Sequence, residues 1–413
     1  MTAAPLGAFR ARIPRINAAL FTAAFFFLPG HVAPVYTLSA VMLLLSVLEG
    51  RFREKWALLR GDSLFWIFQA FFWLFPLALL WTEDMAEGRR MVGRYTFFLL
   101  SPLYLTIARR ELLPRCIAAF LAGCLLAEGL AYYNWLQMHL FPDWPAGLRV
   151  AKDPEDTAPF VDHILYAPIL AWAAYLAARA SLSGPPARRL GYALLTALTA
   201  GNLLFSGGRA GQLVFLVLLA VLVCQRFARR PLLAGLVSAT LVSALLGGAY
   251  IGNDYFRSRV DMAVHEITHY EESVNTSAGL RLTFLMNSAR LFAEHPLAGV
   301  GSGDYTREYA VLHARHSPGW LTTDNPHNQY LFVLSTTGLL GGAILLAVYF
   351  PPLLWRGRRD EVAPLRTALV VFICTSSLFE DYLWRSNTSL LFVLFAVLLL
   401  GARSRDAQSP ALR

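Results

Sequence analysis

Charge is scarce in this chain: 15% of its 413 residues are Asp, Glu, Lys or Arg, against 56% that are hydrophobic. So little polar surface cannot cover the apolar remainder, which excludes a soluble domain of this length. Cysteine is scarcer still. Cys116, Cys124, Cys224 and Cys374 all fall within apolar runs, so neither a disulfide framework nor a zinc-ligand spacing is present. No segment repeats at a fixed period, which excludes a solenoid. The net charge of +9 is not gathered into a continuous basic stripe, so nucleic acid is not the partner it implies.

What the sequence does have is apolar runs, and a bilayer core takes about 20 apolar residues per helix. The expected fold is all-α, a single integral membrane domain over residues 1–413 with about twelve spans. These run near Ile16–Leu28, Pro34–Leu48, Leu64–Trp81, Met91–Ala108, Cys116–Met138 and Val161–Ala178 in the first half. The second half supplies Leu190–Phe205, Gln212–Cys224, Leu232–Ile251, Gln329–Tyr349, Leu365–Phe379 and Ser389–Leu400. Arg10, Arg12 and Arg15 precede the first run with no small-residue cleavage site after it, so it reads as an uncleaved helix. With twelve spans, 23 of the 36 basic residues fall on one side, including Arg51, Arg53, Lys55, Arg60, Arg356, Arg358, Arg359, Arg403, Arg405 and Arg413. Positive residues stay inside, so that side and both termini are expected to be cytoplasmic.

Two outward connections are long, residues 139–160 and the larger 252–327. Within the second, Ser277 is expected to cap a helix carrying Leu280, Phe284, Leu285, Ser288, Leu291 and Phe292 at helical spacing, stopped before Pro296. Tyr250, Tyr255, Phe256 and Trp320 suit a membrane interface. The loop ends in Asp324-Asn325-Pro326-His327-Asn328-Gln329-Tyr330, which places an imidazole where water meets the bilayer. Histidine is the side chain best matched to proton transfer near neutral pH. The bland alternative is a ring satisfied by a loop carbonyl. Arg209, flanked by glycines in Ser206-Gly207-Gly208-Arg209-Ala210-Gly211, sits on the outward side against the charge bias.

These residues resemble the O-antigen ligase family. Its motif of His, then Asn, Ser or Gln, nine free positions, Gly, two more and a small residue is matched by His327-Asn328 and Gly338-Leu339-Leu340-Gly341. A weaker motif, Arg with Leu four positions on, is matched by Arg281 and Leu285, and His295-Pro296-Leu297-Ala298-Gly299-Val300-Gly301 adds to the likeness. The resemblance implies a metal-independent, inverting glycosyltransferase of lipopolysaccharide synthesis in the bacterial inner membrane, its site facing the periplasm. Its donor would be O-antigen on undecaprenyl pyrophosphate and its acceptor lipid A–core, with membrane lipid around it, no cofactor and no nucleotide sugar. His327 would be the catalytic base, while Arg209 and Arg281 would grip pyrophosphate oxygens and Asn328 would bind the substrate or hold the loop.

Other signals weigh less. Gly299, Gly301 and Gly303 lack the Lys of a nucleotide loop, and neither His313 with His316 nor His265 with His269 has a third ligand in its pattern. Glu380, Asp381 and Arg385 are expected to pair with one another, the alternative being that they orient a substrate phosphate or sugar. An O-antigen polymerase would show two sizeable Arg-rich loops, a protein O-oligosaccharyltransferase a longer C-terminal region, and a transporter charged or broken residues in several helices with paired repeats.

Overall fold

A computed structural model describes residues 3–148, 156–252, 254–269, 275–350 and 361–401, and every regular element among them is helical. The first half comprises α1 (Ala3–Phe27), α2 (Ala33–Glu49), α3 (Phe52–Arg60), α4 (Ser63–Ala78), α5 (Met85–Arg94), α6 (Thr96–Leu99), α7 (Ser101–Ile107), α8 (Leu113–His139) and α9 (His163–Ser181). The second half comprises α10 (Pro186–Phe205), α11 (Arg209–Arg226), α12 (Pro231–Gly252), α13 (Asp254–Thr268), α14 (Ser277–Glu294), α15 (Tyr305–His316), α16 (Gln329–Tyr349), α17 (Ala363–Ser376) and α18 (Ser386–Leu400). Arg356, Arg358, Arg359, Arg403, Arg405, Arg413 and the Tyr255 side chain lie outside the described residues.

Each of the twelve expected spans overlaps helix, yet among the described residues only 6 stretches are both long and apolar enough to cross a bilayer. These are α4 with its following turn, α8 with its preceding turn, α9, α11, α12 and α16. The pair α2 and α3, bent by 116° where Arg51 takes a φ of 55°, makes a seventh. The others fall short for visible reasons. Arginines occupy the first half of α1, whereas α17 and α18 have 14 and 15 residues. The Met91–Ala108 run is not one helix. It breaks at Tyr95, whose φ of −92° and ψ of 7° are not helical, and again before Pro102, which lacks an N–H to continue the ladder.

At the centre stand α18, buried from Asn387 to Leu400, and α9, buried from Tyr166 to Ala177. A helix apolar all round has no face to spend on water, and here every face meets another helix. Helices α10 and α11 pack against α9, while α12 buries Ala234 alone.

The 252–327 connection is itself helical through α13, α14 and α15. Thr276, rather than Ser277, caps α14: its hydroxyl accepts from the Gly279 N–H at 3.3 Å, and Ser277 already has helical backbone. Downstream the chain is clamped into α16. That helix breaks at Gly338, with a φ of 68°. The opened backbone is satisfied by the incoming segment: Leu339 N–H donates to the Pro296 carbonyl at 2.8 Å, and Val300 and Gly301 donate to Ser335 and Thr336 at 2.8 and 3.0 Å. A side chain at 338 would collide with the Leu297 carbonyl, so both the left-handed backbone and the close approach require glycine.

Candidate active site

His327 arrives at the head of α16 in the left-handed region, with a φ of 50° that a residue with a Cβ adopts at a cost. An Asx turn holds it there, its N–H donating to Asn325 Oδ1 at 3.0 Å. The next residue, Asn328, caps α16 by accepting from Leu331 N–H at 3.0 Å and donates to the Leu378 carbonyl at 3.1 Å. Both ends of its amide are therefore engaged with protein. Gln329, fully buried, receives the Leu383 N–H at 2.8 Å and donates to Tyr95 at 3.2 Å. Together they bind the α17–α18 turn to the His327 segment.

That turn supplies the residue the sequence reading did not connect to the site. Glu380, expected to pair with its neighbours or to orient substrate, receives His327 Nδ1–H on Oε2 at 2.7 Å and Arg385 Nη2–H on Oε1 at 3.3 Å. Burial pushes the Glu380 carboxyl up. Hydrogen bonding with Asp381 and His327, and the charges of His327 and Arg385, outweigh that and hold it well below the usual range. Asp381 goes the other way: burial, then the adjacent Glu380, pushes it far up, so it keeps its proton. With Nδ1 donating to a carboxylate, the neutral imidazole presents Nε2 as its basic atom. Phe284 of α14 stacks on the ring, centroids 5.9 Å apart, and fixes its plane.

Arg281 lies one turn ahead of Phe284 on α14. It is close enough to Tyr382 for its charge to act on that phenol, alongside Glu380 and Asp162. Tyr382 donates to the Ile164 carbonyl at 2.8 Å, fastening the turn to the head of α9. Against the same head pack Gly207 and Gly208, just before Arg209 at the start of α11. Arg209 also lines a cavity of about 200 Å³ with Gly207 and Val260. Through Leu204, Gln212 and Phe256 this adjoins an apolar cavity of about 500 Å³ between α10, α11 and α12.

Residues 194–346 match the family model described as O-Antigen ligase. The match supports the O-antigen ligase family for this chain. Members of that family are glycosyltransferase-like ligases, and with several helices long and apolar enough to span, this chain reads as a multi-pass membrane protein. The matched segment contains Arg209, Arg281, His327 and Gly338 but stops before Glu380. No curated protein matches the chain.

Among the described residues no three His, Cys, Asp or Glu side chains converge as a metal site. His313 meets the Trp320 carbonyl through Nε2 at 2.9 Å, and His265 stacks on His269 at 4.4 Å. Glu380 escaped sequence reading because it lies 53 residues from its partner. The usable signal was two adjacent carboxylates in a short turn between apolar runs, where solvation is poor and ionised groups are retained for function.

Proposed function

We propose that this chain transfers O-antigen glycan from undecaprenyl pyrophosphate to lipid A–core on the periplasmic face of the inner membrane, without a metal and with inversion. The observation that carries the reading is the His327–Glu380 pair, a base with its tautomer fixed at the head of α16. The donor sugar is already activated, so the chemistry needs a base for the acceptor and cations for the leaving group. The acceptor hydroxyl gives its proton to His327 Nε2 while its oxygen attacks the anomeric carbon. The bond from that carbon to the pyrophosphate oxygen breaks on the opposite face, and the electron pair leaves with the pyrophosphate. Glu380 stabilises the imidazolium, and Arg209 and Arg281 offset the growing negative charge on phosphate. The apolar cavity that adjoins the Arg209 pocket suits a polyprenyl chain with its headgroup at the arginine.

The test is reconstitution of the purified protein in vesicles with lipid-linked O-antigen and lipid A–core, with and without EDTA. Formation of a glycan ladder on lipid A–core in both conditions supports the reading. Lengthening of the donor without transfer to lipid A–core would make the chain a polymerase, and movement of donor without any new glycosidic bond would make it a transporter.

A further inference from the structure

A polar pocket of about 320 Å³ is bounded by Trp384, whose ring also meets the Arg385 that holds Glu380. Asp84, Arg90, Arg94, Ser302, Asp324 and Trp384 are among its walls. Its wall is shared with the catalytic pair. Arg94 lies over the Trp384 ring at 4.0 Å and Arg385, which holds Glu380, lies over the same ring at 5.0 Å. Phe332 and Tyr305 complete the wall, with Phe332 at 5.9 Å from Trp384 and 5.3 Å from Tyr305. Asp324 lines the pocket three residues before His327, on the same turn.

The pocket is built rather than collapsed. Asp304 accepts the Glu83 and Asp84 N–H groups at 2.7 and 2.8 Å, pinning the head of α5 to the start of α15. Glu87 neutralises Arg90 at 3.0 Å, whereas Arg94 meets no carboxylate among the described residues. An unneutralised guanidinium beside carboxylates matches a glycan that carries an anionic group next to free hydroxyls: phosphate or carboxylate on Arg94, hydroxyls on Asp324. The Arg209 cavities lie elsewhere, bordered by α10 to α13, and share no lining residue with this pocket. Inversion requires attack opposite the leaving group, so acceptor and donor need separate seats.

We propose that this pocket, with Arg94 as its anion-binding residue and Asp324 as its hydroxyl-binding residue, seats the anionic acceptor glycan beside His327. The assignment rests on the glycosyl-transfer reading. The probes are lipid A–core and the same glycolipid with its phosphates chemically removed, used with Arg94→Gln, Arg94→Lys and Asp324→Asn proteins in vesicles. Arg94→Gln should raise KM for lipid A–core about tenfold or more, leaving donor KM and melting temperature at wild-type values, and Arg94→Lys should recover most of the loss. Removing the phosphates should weaken the wild type and leave Arg94→Gln little changed, while Asp324→Asn should raise KM for both glycolipids. An unchanged acceptor KM in Arg94→Gln, or an equal rise in donor KM, overturns the proposal. If the wild type transfers no glycan, the functional reading fails instead. Direct binding then judges the pocket alone: tighter binding of lipid A–core by wild type than by Arg94→Gln upholds it, and equal binding overturns it.

Discussion

The chain gathers charged side chains in two very different places. At the bend between α2 and α3, Arg51 and Glu54 pair on the surface with side chains 52% and 63% exposed. At the α17–α18 turn, Glu380 and Asp381 are fully buried, with Arg385 and His327 as their neighbours. An exposed pair exchanges water for a partner at little net gain. A buried carboxylate has given up its water and depends wholly on what surrounds it, so removing a partner leaves a stranded charge. The contrast separates charge that decorates a helix end from charge that sets the posture of a histidine.

The comparison predicts a graded series. Replacing His327 with Ala should lower transfer roughly 10²- to 10⁴-fold, with donor binding and folding retained, as measured by single-turnover assay and thermal melting on one preparation. Near-normal transfer by a well-folded variant ends the general-base assignment.

Glu380→Gln should lose transfer on the order of 10²-fold or more, since an amide can offer an N–H to Nδ1 and favour the wrong tautomer. If it matches the wild type, the buried pair is no more functional than Arg51–Glu54, and the comparison collapses. Arg281→Ala and Arg209→Ala should each cost roughly 10²- to 10³-fold in transfer, with Lys recovering only part because it lacks the planar fork. Equal rates for Lys and Arg would show that a point charge suffices.

Asp381→Asn should be mild, because the wild-type side chain is already a neutral acid. The folded carboxyl keeps its proton at a pH where the unfolded one has lost it. Wild-type stability therefore falls as pH rises from the ordinary carboxylate range, about 4, toward the raised folded value. Asparagine has no such loss, so the melting-temperature difference, variant minus wild type, should grow between about pH 4 and pH 7. A flat difference means Asp381 is ionised in the fold. Smallest of all, Glu54→Gln should leave both transfer and melting temperature unchanged.

Much of this was readable in the residues. His327 announced itself by a titratable group at a loop end and by its spacing to Gly338, and α14 by its apolar period. The capping error of one residue, Ser277 for Thr276, is the usual imprecision where two hydroxyls adjoin. What stayed hidden was tertiary. Nothing local says that Glu380 meets His327, or that α12 stays exposed while the equally apolar α18 is enclosed, because hydropathy does not distinguish a lipid neighbour from a protein one. The Met91–Ala108 run looked continuous since its breaks at Tyr95 and Pro102 interrupt geometry without interrupting composition.

The seam between Pro296–Gly301 and the broken α16 divides the long excursion into two tethers of unequal freedom. After the seam the chain runs through α15 and a short loop straight into α16, whose cap is Asn328, so His327 is indexed to α16 and not to the distance travelled since α12. The earlier tether carries that duty only from α14 onward, where Phe284 stacks on the histidine. Lengthening or trimming the chain before α14 changes closure entropy only logarithmically and leaves the base in place. That stretch is therefore where this scaffold can be retailored to a bulkier or slimmer cargo, while a single residue inserted between Phe284 and Pro296 would turn the phenyl ring away from the histidine.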